Sequence, residues 1–185
     1  MTISSDLDRR FRDAATTMGL VDMGFDVVDS PVGELFVAAS ERGLAAISFD
    51  SEPERQLERL ARIAGPRVLR SSRSVDGARR ELDEYFSGRR RAFDLALDLR
   101  ALPPFTVSVL QELACVPYGE TTTYGALASR VGRPRAARAV GTAMNRNRIP
   151  IVCPCHRVVG SSGDLVGYAG GLDRKVTLLE LEGAL

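Results

Sequence analysis

Hydrophobic and polar residues alternate in three short runs near the start of the chain. Phe25 and Val27, Leu35 and Val37, and Ile47 and Phe49 are each two positions apart, the period of a strand with one buried face. Ser30-Pro31-Val32-Gly33 and Ser40-Glu41-Arg42-Gly43 fall between them and have the composition of turns. The pattern predicts an antiparallel meander from Gly24 to Phe49. Ahead of it, residues 1–19 carry Leu7, Phe11 and Ala14 or Ala15 at helical spacing, with Asp6, Arg9, Arg10 and Asp13 elsewhere, which predicts an appended amphipathic helix. After the meander the period becomes helical. Leu57, Leu60 and Ala64 predict a helix from Pro53 to Ala64, and Ala78, Leu82 and Tyr85 one from Val75 to Phe86. Phe93-Asp94-Leu95-Ala96-Leu97-Asp98-Leu99 alternates again and predicts a further strand.

Ala101-Leu102-Pro103-Pro104 breaks this pattern. A boundary there divides the chain into an N-terminal extension (1–22), an α/β domain (23–100) and a C-terminal domain (101–185). Phe105, Val109 and Leu113 form one stripe of a helix from Thr106 to Cys115, with Cys115 expected in the core. Thr122 or Thr123 caps a helix from Tyr124 to Arg130, and Val131-Gly132-Arg133 ends it. Pro134 suits the first turn of another helix reaching Met144. Two short helices around a glycine-containing turn are a helix-turn-helix candidate. The expected class is α+β: an N-terminal antiparallel sheet with helices, then a helical, winged helix-turn-helix-like domain carrying the reactive cysteine described below.

Composition narrows the setting. With 185 residues, 44% hydrophobic and 26% charged, the chain has the make-up of a soluble globular protein. No apolar run is long enough for a membrane span, and the N-terminus lacks the apolar core of a signal peptide, so a cytoplasmic protein without a membrane partner is expected. Three cysteines, Cys115, Cys153 and Cys155, fit a reducing compartment.

Charge changes the picture more than composition does. The net charge is only +1, yet from Thr121 to Gly163 there are seven arginines and no Asp or Glu. A block of +7 therefore sits in a remainder of −6, a local attraction for a polyanion. Within it, Arg135-Ala136-Ala137-Arg138-Ala139-Val140-Gly141-Thr142-Ala143-Met144 surrounds a long cation with small side chains. Such a helix offers few groups to read major-groove base edges and suits close approach to the minor groove, with Arg138 entering the groove or stack. Helix packing through alanines is the competing explanation.

The candidate chemistry lies in Pro154-Cys155-His156-Arg157, which holds the only histidine of the chain. A cysteine attacks as its thiolate and needs a base or a positive field nearby. His156 can be that base, and Arg157 adds a fixed charge beside it. Adjacent side chains rarely point the same way, so a bridging water between thiol and imidazole fits better than direct contact. For an arbitrary Cys-His pair, an inert buried cysteine beside a core histidine is the commoner arrangement. A metal site is disfavoured because Cys153, Cys155 and His156 are too crowded in sequence for an ordinary tetrahedral site.

Taken together, Thr-Tyr-Gly-Ala-Leu-Ala (123–128), Ala-Ala-Arg-Ala-Val-Gly-Thr-Ala-Met (136–144), Asn147, Ile-Pro-Ile-Val-Cys-Pro-Cys-His-Arg-Val (149–158) and Gly-Tyr-Ala-Gly-Gly-Leu (167–172) closely resemble the O6-alkylguanine-DNA alkyltransferases. The resemblance runs from about Phe105 to Gly183. It implies direct reversal of damage: irreversible, stoichiometric transfer of an alkyl group from O6-alkylguanine to Cys155 without a cofactor, with O4-alkylthymine as a second candidate substrate. It further implies that His156 acts on the thiol through a water and that Glu182 orients His156. Tyr124 would help rotate the nucleotide and donate a hydrogen bond to the flipped base, and Arg138 would replace that base in the stack. Thr106, Gly125, Arg133 and Ser161 fall where the family contacts DNA, and Asn147 where it braces the active-site turns. Met144, Pro150, Val158, Tyr168 and Ala169 would line the guanine pocket. The implied partner is double-stranded DNA containing alkylated guanine. The protein is expected to be a monomer in solution, with cooperative assembly on DNA left open. A non-catalytic helix-turn-helix damage-binding protein and a turnover Cys-His-Glu hydrolase are the competing readings; the first predicts binding without transfer, the second release of product.

Overall fold

The computed structural model describes residues 5–185. The chain forms two compact units, one reaching to Asp83 and including Asp94–Asp98, the other made of Glu84–Phe93 with Leu99–Leu185. The second unit thus takes in a stretch lying before the boundary expected at Ala101–Pro104.

In the first unit β1 (Met23–Val28), β2 (Leu35–Ser40) and β3 (Gly43–Ser48) form the expected antiparallel meander. A short strand that the period of the sequence does not reveal, β4 (Val68–Arg70), adds to β1 in parallel, giving the order β3-β2-β1-β4. Helix α2 (Pro53–Ala64) starts on its proline and lays Leu57, Leu60 and Ala64 against Met23, Phe25, Phe36 and Ala38. The rings of Phe25 and Phe36 stack at 5.0 Å. Helix α3 (Ser72–Phe86) comes so close to β1 that a Cβ on Gly24 would strike the Ser74 side chain. Covering the sheet in this way explains why β2 is buried over five successive residues rather than alternately.

Helix α1 (Ser5–Thr17) begins inside the predicted amphipathic stretch, whose residues 1–4 lie outside the described residues. Its apolar stripe faces outward: Leu7 and Phe11 are 60% and 66% exposed, while Ala15 is buried and Thr16 bonds Ser71.

The strand expected over residues 93–99 is corrected. The segment makes one isolated bridge, Leu44 with Leu97, and its polar groups bind elsewhere: Asp98 accepts from Ser40 Oγ at 2.7 Å, and Asp94 N–H donates to Glu81 at 2.9 Å. Gly43 makes the bridge possible. Its φ is +128°, and any Cβ there would collide with the Ala96 carbonyl. Gly43→Ala is therefore expected to destabilise the protein by about 2 kcal/mol or more, measured by denaturant unfolding, through both the left-handed backbone and the clash.

The second unit is mostly helical. It contains α4 (Pro104–Ala114), α5 (Tyr124–Arg130), α6 (Ala137–Asn145) and α7 (Leu172–Glu182), with two short parallel strands, β5 (Thr122–Thr123) and β6 (Val158–Val159). Val109, Leu110, Leu113, Leu127, Val140, Ile149 and Leu178 make its core. Thr123 is the cap of α5, its hydroxyl accepting from Ala126 N–H at 3.1 Å. Two expectations are corrected here. Pro134 lies in the turn before α6 rather than in its first turn, because Arg133 N–H and Ala136 N–H close that turn onto Ala128 O and Arg133 O. Cys115 is exposed, since α4 ends at Ala114 and turns the thiol out of the core stripe.

Candidate active site

The site is built on a turn that local propensity disfavours. Between α6 and Cys155, Ile151 holds φ at +74°, a region that a β-branched residue rarely enters. Asn147 locks this turn from inside: its carbonyl accepts from Ile149 N–H at 3.0 Å, and its amide donates to Cys153 O at 2.8 Å and to Cys155 Sγ at 3.1 Å. Cys155 opens a 3₁₀ turn, Cys155–Arg157, that leads into β6. The cysteine is buried, with 8% of its residue surface exposed.

Beneath it lies a buried polar cluster. His156, with no exposed surface, is 2.9 Å through Nε2 from Glu182 Oε1. Arg157 grips the same carboxylate through Nε to Oε2 and Nη2 to Oε1, both at 2.8 Å, and donates from Nη1 to Val116 O at 2.6 Å. Tyr85 completes the cluster, donating to Oε1 at 2.6 Å. The arginine expected to add its charge beside the cysteine is therefore committed to Glu182. His156 Nδ1 is buried with no hydrogen-bond partner among the described residues. The thiol and His156 Nδ1 are thus not hydrogen-bonded to each other.

Protonation states follow from burial and these partners. Burial pushes the Cys155 thiol up to about 11, against the opposing effects of the Asn147 amide and the Lys175 charge, so the resting residue is a thiol. Burial lowers His156 from its ordinary value despite the pull of Glu182, leaving a neutral imidazole. Because Nε2–H donates to the carboxylate, the lone pair sits on Nδ1. Burial alone would raise Glu182, but hydrogen bonds from His156, Arg157 and Tyr85 outweigh it and bring the carboxyl down to about 2. Tyr124 and Tyr168 are both raised by burial and by the nearby Cys155, and stay phenols able to donate.

Other expected site residues are placed as follows. Tyr168 stands edge-on to His156, ring centroids 6.5 Å apart. Met144 and Pro150 are buried beside the turn, and Ala169 is exposed in the loop before α7. Val158 is buried, and its carbonyl accepts from Lys175 Nζ at 2.6 Å. On the helix-turn-helix, Arg138 is exposed on α6, Gly125 is exposed on α5, and Tyr124 lies against α6, where a Cβ on Gly141 would touch its ring at 3.8 Å. Arg133 is exposed and lies over the Phe105 ring at 5.1 Å; Ser161 is exposed. Thr106 is only 2% exposed, which withdraws its hydroxyl from the surface.

Two family models match the chain: the DNA binding domain of 6-O-methylguanine DNA methyltransferase over residues 104–184, and the ribonuclease-like domain of the same proteins over residues 23–99. The chain belongs to this family. The methylated-DNA–protein-cysteine methyltransferase of Methanosarcina barkeri is 44% identical over 86% of the chain and 97% of its own length; that of Mycolicibacterium paratuberculosis is 43% identical over 85% and 91%. Among solved structures, a Mycobacterium tuberculosis OGT in complex with DNA matches with a TM-score of 0.76 at 39% identity, covering 87% of this chain and 93% of that one. The O6-methylguanine-DNA methyltransferase of Pyrococcus kodakaraensis matches at 0.61 and 27% identity, over 87% and 99%. Among the described residues no group of three or more His, Cys, Asp and Glu side chains is placed to hold a metal ion, and no helix is long and apolar enough to cross a membrane.

Sequence reasoning missed two residues of this candidate site. Tyr85 gives no local signal, because its partner is 97 positions away. Lys175 does: it is the single lysine, and with Leu178, Leu179 and Glu182 it lies on the buried face of α7, tying Val158 O and Val166 O together.

Proposed function

We propose that this protein removes alkyl groups from the O6 of guanine in double-stranded DNA by moving them irreversibly onto Cys155, once per molecule and without a cofactor. The observation that carries this reading is a buried thiol next in sequence to a neutral histidine whose Nε2 is held by Glu182 and whose buried Nδ1 has no hydrogen-bond partner among the described residues. A water between Sγ and Nδ1 passes the thiol proton to the imidazole as the S–C bond forms and the C–O6 bond breaks. The departing guanine takes a hydrogen bond from the Tyr124 phenol. Glu182 stabilises the imidazolium that results.

An alkyl carbon inside a paired duplex is out of reach of a buried sulfur, so the nucleotide has to rotate out of the stack. The alanine- and glycine-rich face of α6 suits close approach to the minor groove, with Arg138 filling the gap left by the base. Arg133, Gly125 and Ser161 are exposed and suited to the DNA backbone. The DNA-bound relative supports DNA as the partner.

Incubation with a duplex carrying O6-methylguanine, followed by intact-protein mass measurement, tests the proposal. A single methyl on Cys155 with no second turnover is expected. DNA binding without a methyl adduct would favour a damage-binding protein, and released product with unmodified protein a hydrolase. Arg138→Ala is expected to slow transfer from duplex by about tenfold or more while leaving the reaction with free O6-methylguanine base unchanged, read by single-turnover rates. Equal losses on both substrates would remove the role of Arg138 as the group that replaces the rotated base.

A further inference from the structure

Tyr85 reaches the catalytic cluster from far outside the motifs that mark it. It is fully buried at the end of α3, and its ring is fixed by Phe86, Phe93 and Tyr118 at centroid distances of 5.2, 5.3 and 6.0 Å. Satisfying a buried phenol does not require a carboxylate. Tyr118, next to it, donates instead to the backbone carbonyl of Leu181 at 2.8 Å. The Tyr85 hydroxyl goes to Glu182 Oε1, the oxygen that also takes His156 Nε2–H and Arg157 Nη2–H.

We propose that Tyr85 is a positioning residue of the Cys155–His156–Glu182 relay, fixing the rotamer of Glu182 and limiting the hold of the carboxylate on the imidazole. This rests on the transfer to Cys155 proposed above. Each donor on Oε1 draws off negative charge, so an oxygen that already serves a phenol and a guanidinium stabilises an imidazolium less. Removing the phenol leaves more charge facing His156, favours imidazolium, and lowers the fraction of neutral base at a given pH. The other groups facing the pair are Arg157, Tyr118 and Tyr168 around Glu182, and Arg157, Lys175 and Tyr168 around His156. A Tyr85→Phe substitution removes none of them. The ribonuclease-like match spans Tyr85, yet the compact unit holding Glu182 includes residues 84–93. A chain trimmed to the matched DNA binding segment would therefore lose part of the relay.

Because the protein has one histidine, its imidazole NMR signal needs no assignment by mutation. Tyr85→Phe in the full chain is expected to raise the midpoint of that titration by about 0.5 pH unit or more. The acid limb of the single-turnover methyl-transfer rate should move up with it. Near pH 6 the rate should fall by up to about threefold, the most that a half-unit rise in the midpoint removes from the neutral fraction, with DNA affinity unchanged. Tyr118→Phe should move neither midpoint nor limb. Should Tyr85→Phe fail to fold, site-specific 3-fluorotyrosine at position 85 keeps the shape and strengthens the donor, and the midpoint is then expected to fall. An unmoved midpoint in Tyr85→Phe, or an equal shift in Tyr118→Phe, overturns the role. A wild-type protein that takes up no methyl would instead sink the transfer reading, while the imidazole midpoint would still report whether Tyr85 tunes His156.

Discussion

Cys155→Ala is expected to abolish methyl transfer completely while changing the affinity for DNA by no more than about twofold. Rates would be read by intact mass and affinity by fluorescence anisotropy. In the proposed reaction the sulfur is the acceptor, so no residual chemistry survives its loss, and the neighbouring thiol cannot take over. Cys153 has no exposed surface, and burial pushes its thiol up to about 12, further from the reactive thiolate than Cys155. The substitution is also mild for the fold, because the Asn147 amide that donates to Sγ keeps its shorter bond to Cys153 O. A loss of about 1 kcal/mol in stability is the expected scale for so small a truncation. The exposed Arg133, Arg138 and Gly125 are untouched, so binding and chemistry should separate. Transfer that persists in the variant would show that the acceptor lies elsewhere.

The largest effect on stability is expected at Glu182. Replacing it by alanine leaves Arg157, itself buried, with no carboxylate, and breaking a buried pair from one side costs about 3–5 kcal/mol. The midpoint of thermal unfolding should drop by roughly 10 °C. The pH dependence of the wild-type protein carries the same signature. The Glu182 carboxyl falls from an ordinary 4.5 to about 2 in the folded protein. A depressed carboxyl contributes stability that is present above the unfolded value and lost as pH falls from about 4.5 toward 2, on the order of 3 kcal/mol. His156 acts in the same direction. Its folded value is lowered by burial, so the unfolded chain takes up a proton more readily once pH falls below the ordinary 6.5. Acid should therefore weaken the wild type in two stages, and Glu182→Ala should lack the lower one. Denaturant unfolding at a series of pH values checks this; a variant with an unchanged acid profile would show that the cluster is not linked to folding.

Much of the architecture was legible because its signals are local. The helices Pro53–Ala64 and Tyr124–Arg130 have the expected bounds, since a proline start and a threonine cap fix them within a turn. Where the sequence misled, tertiary contacts had replaced local ones. The period-two run over 93–99 is satisfied by side chains and a single bridge instead of a ladder, and β4, three residues long, is too short to show any period. In the site, Cys155, His156, Asn147 and Glu182 were marked by their motif, and the bonds among them follow. The buried face of α7 made Lys175 readable in principle. Tyr85 was not, because only the folded chain brings it to Glu182.

The burial of Lys175 has a consequence for handling the protein. With its only lysine amine held between two backbone carbonyls and closed to solvent, the native chain offers no side-chain amine to acylating dyes, crosslinkers or lysine-directed tagging enzymes. Reaction at that position reports that α7 has come away from the loop it secures, which makes the single ε-amine a built-in reporter of local opening.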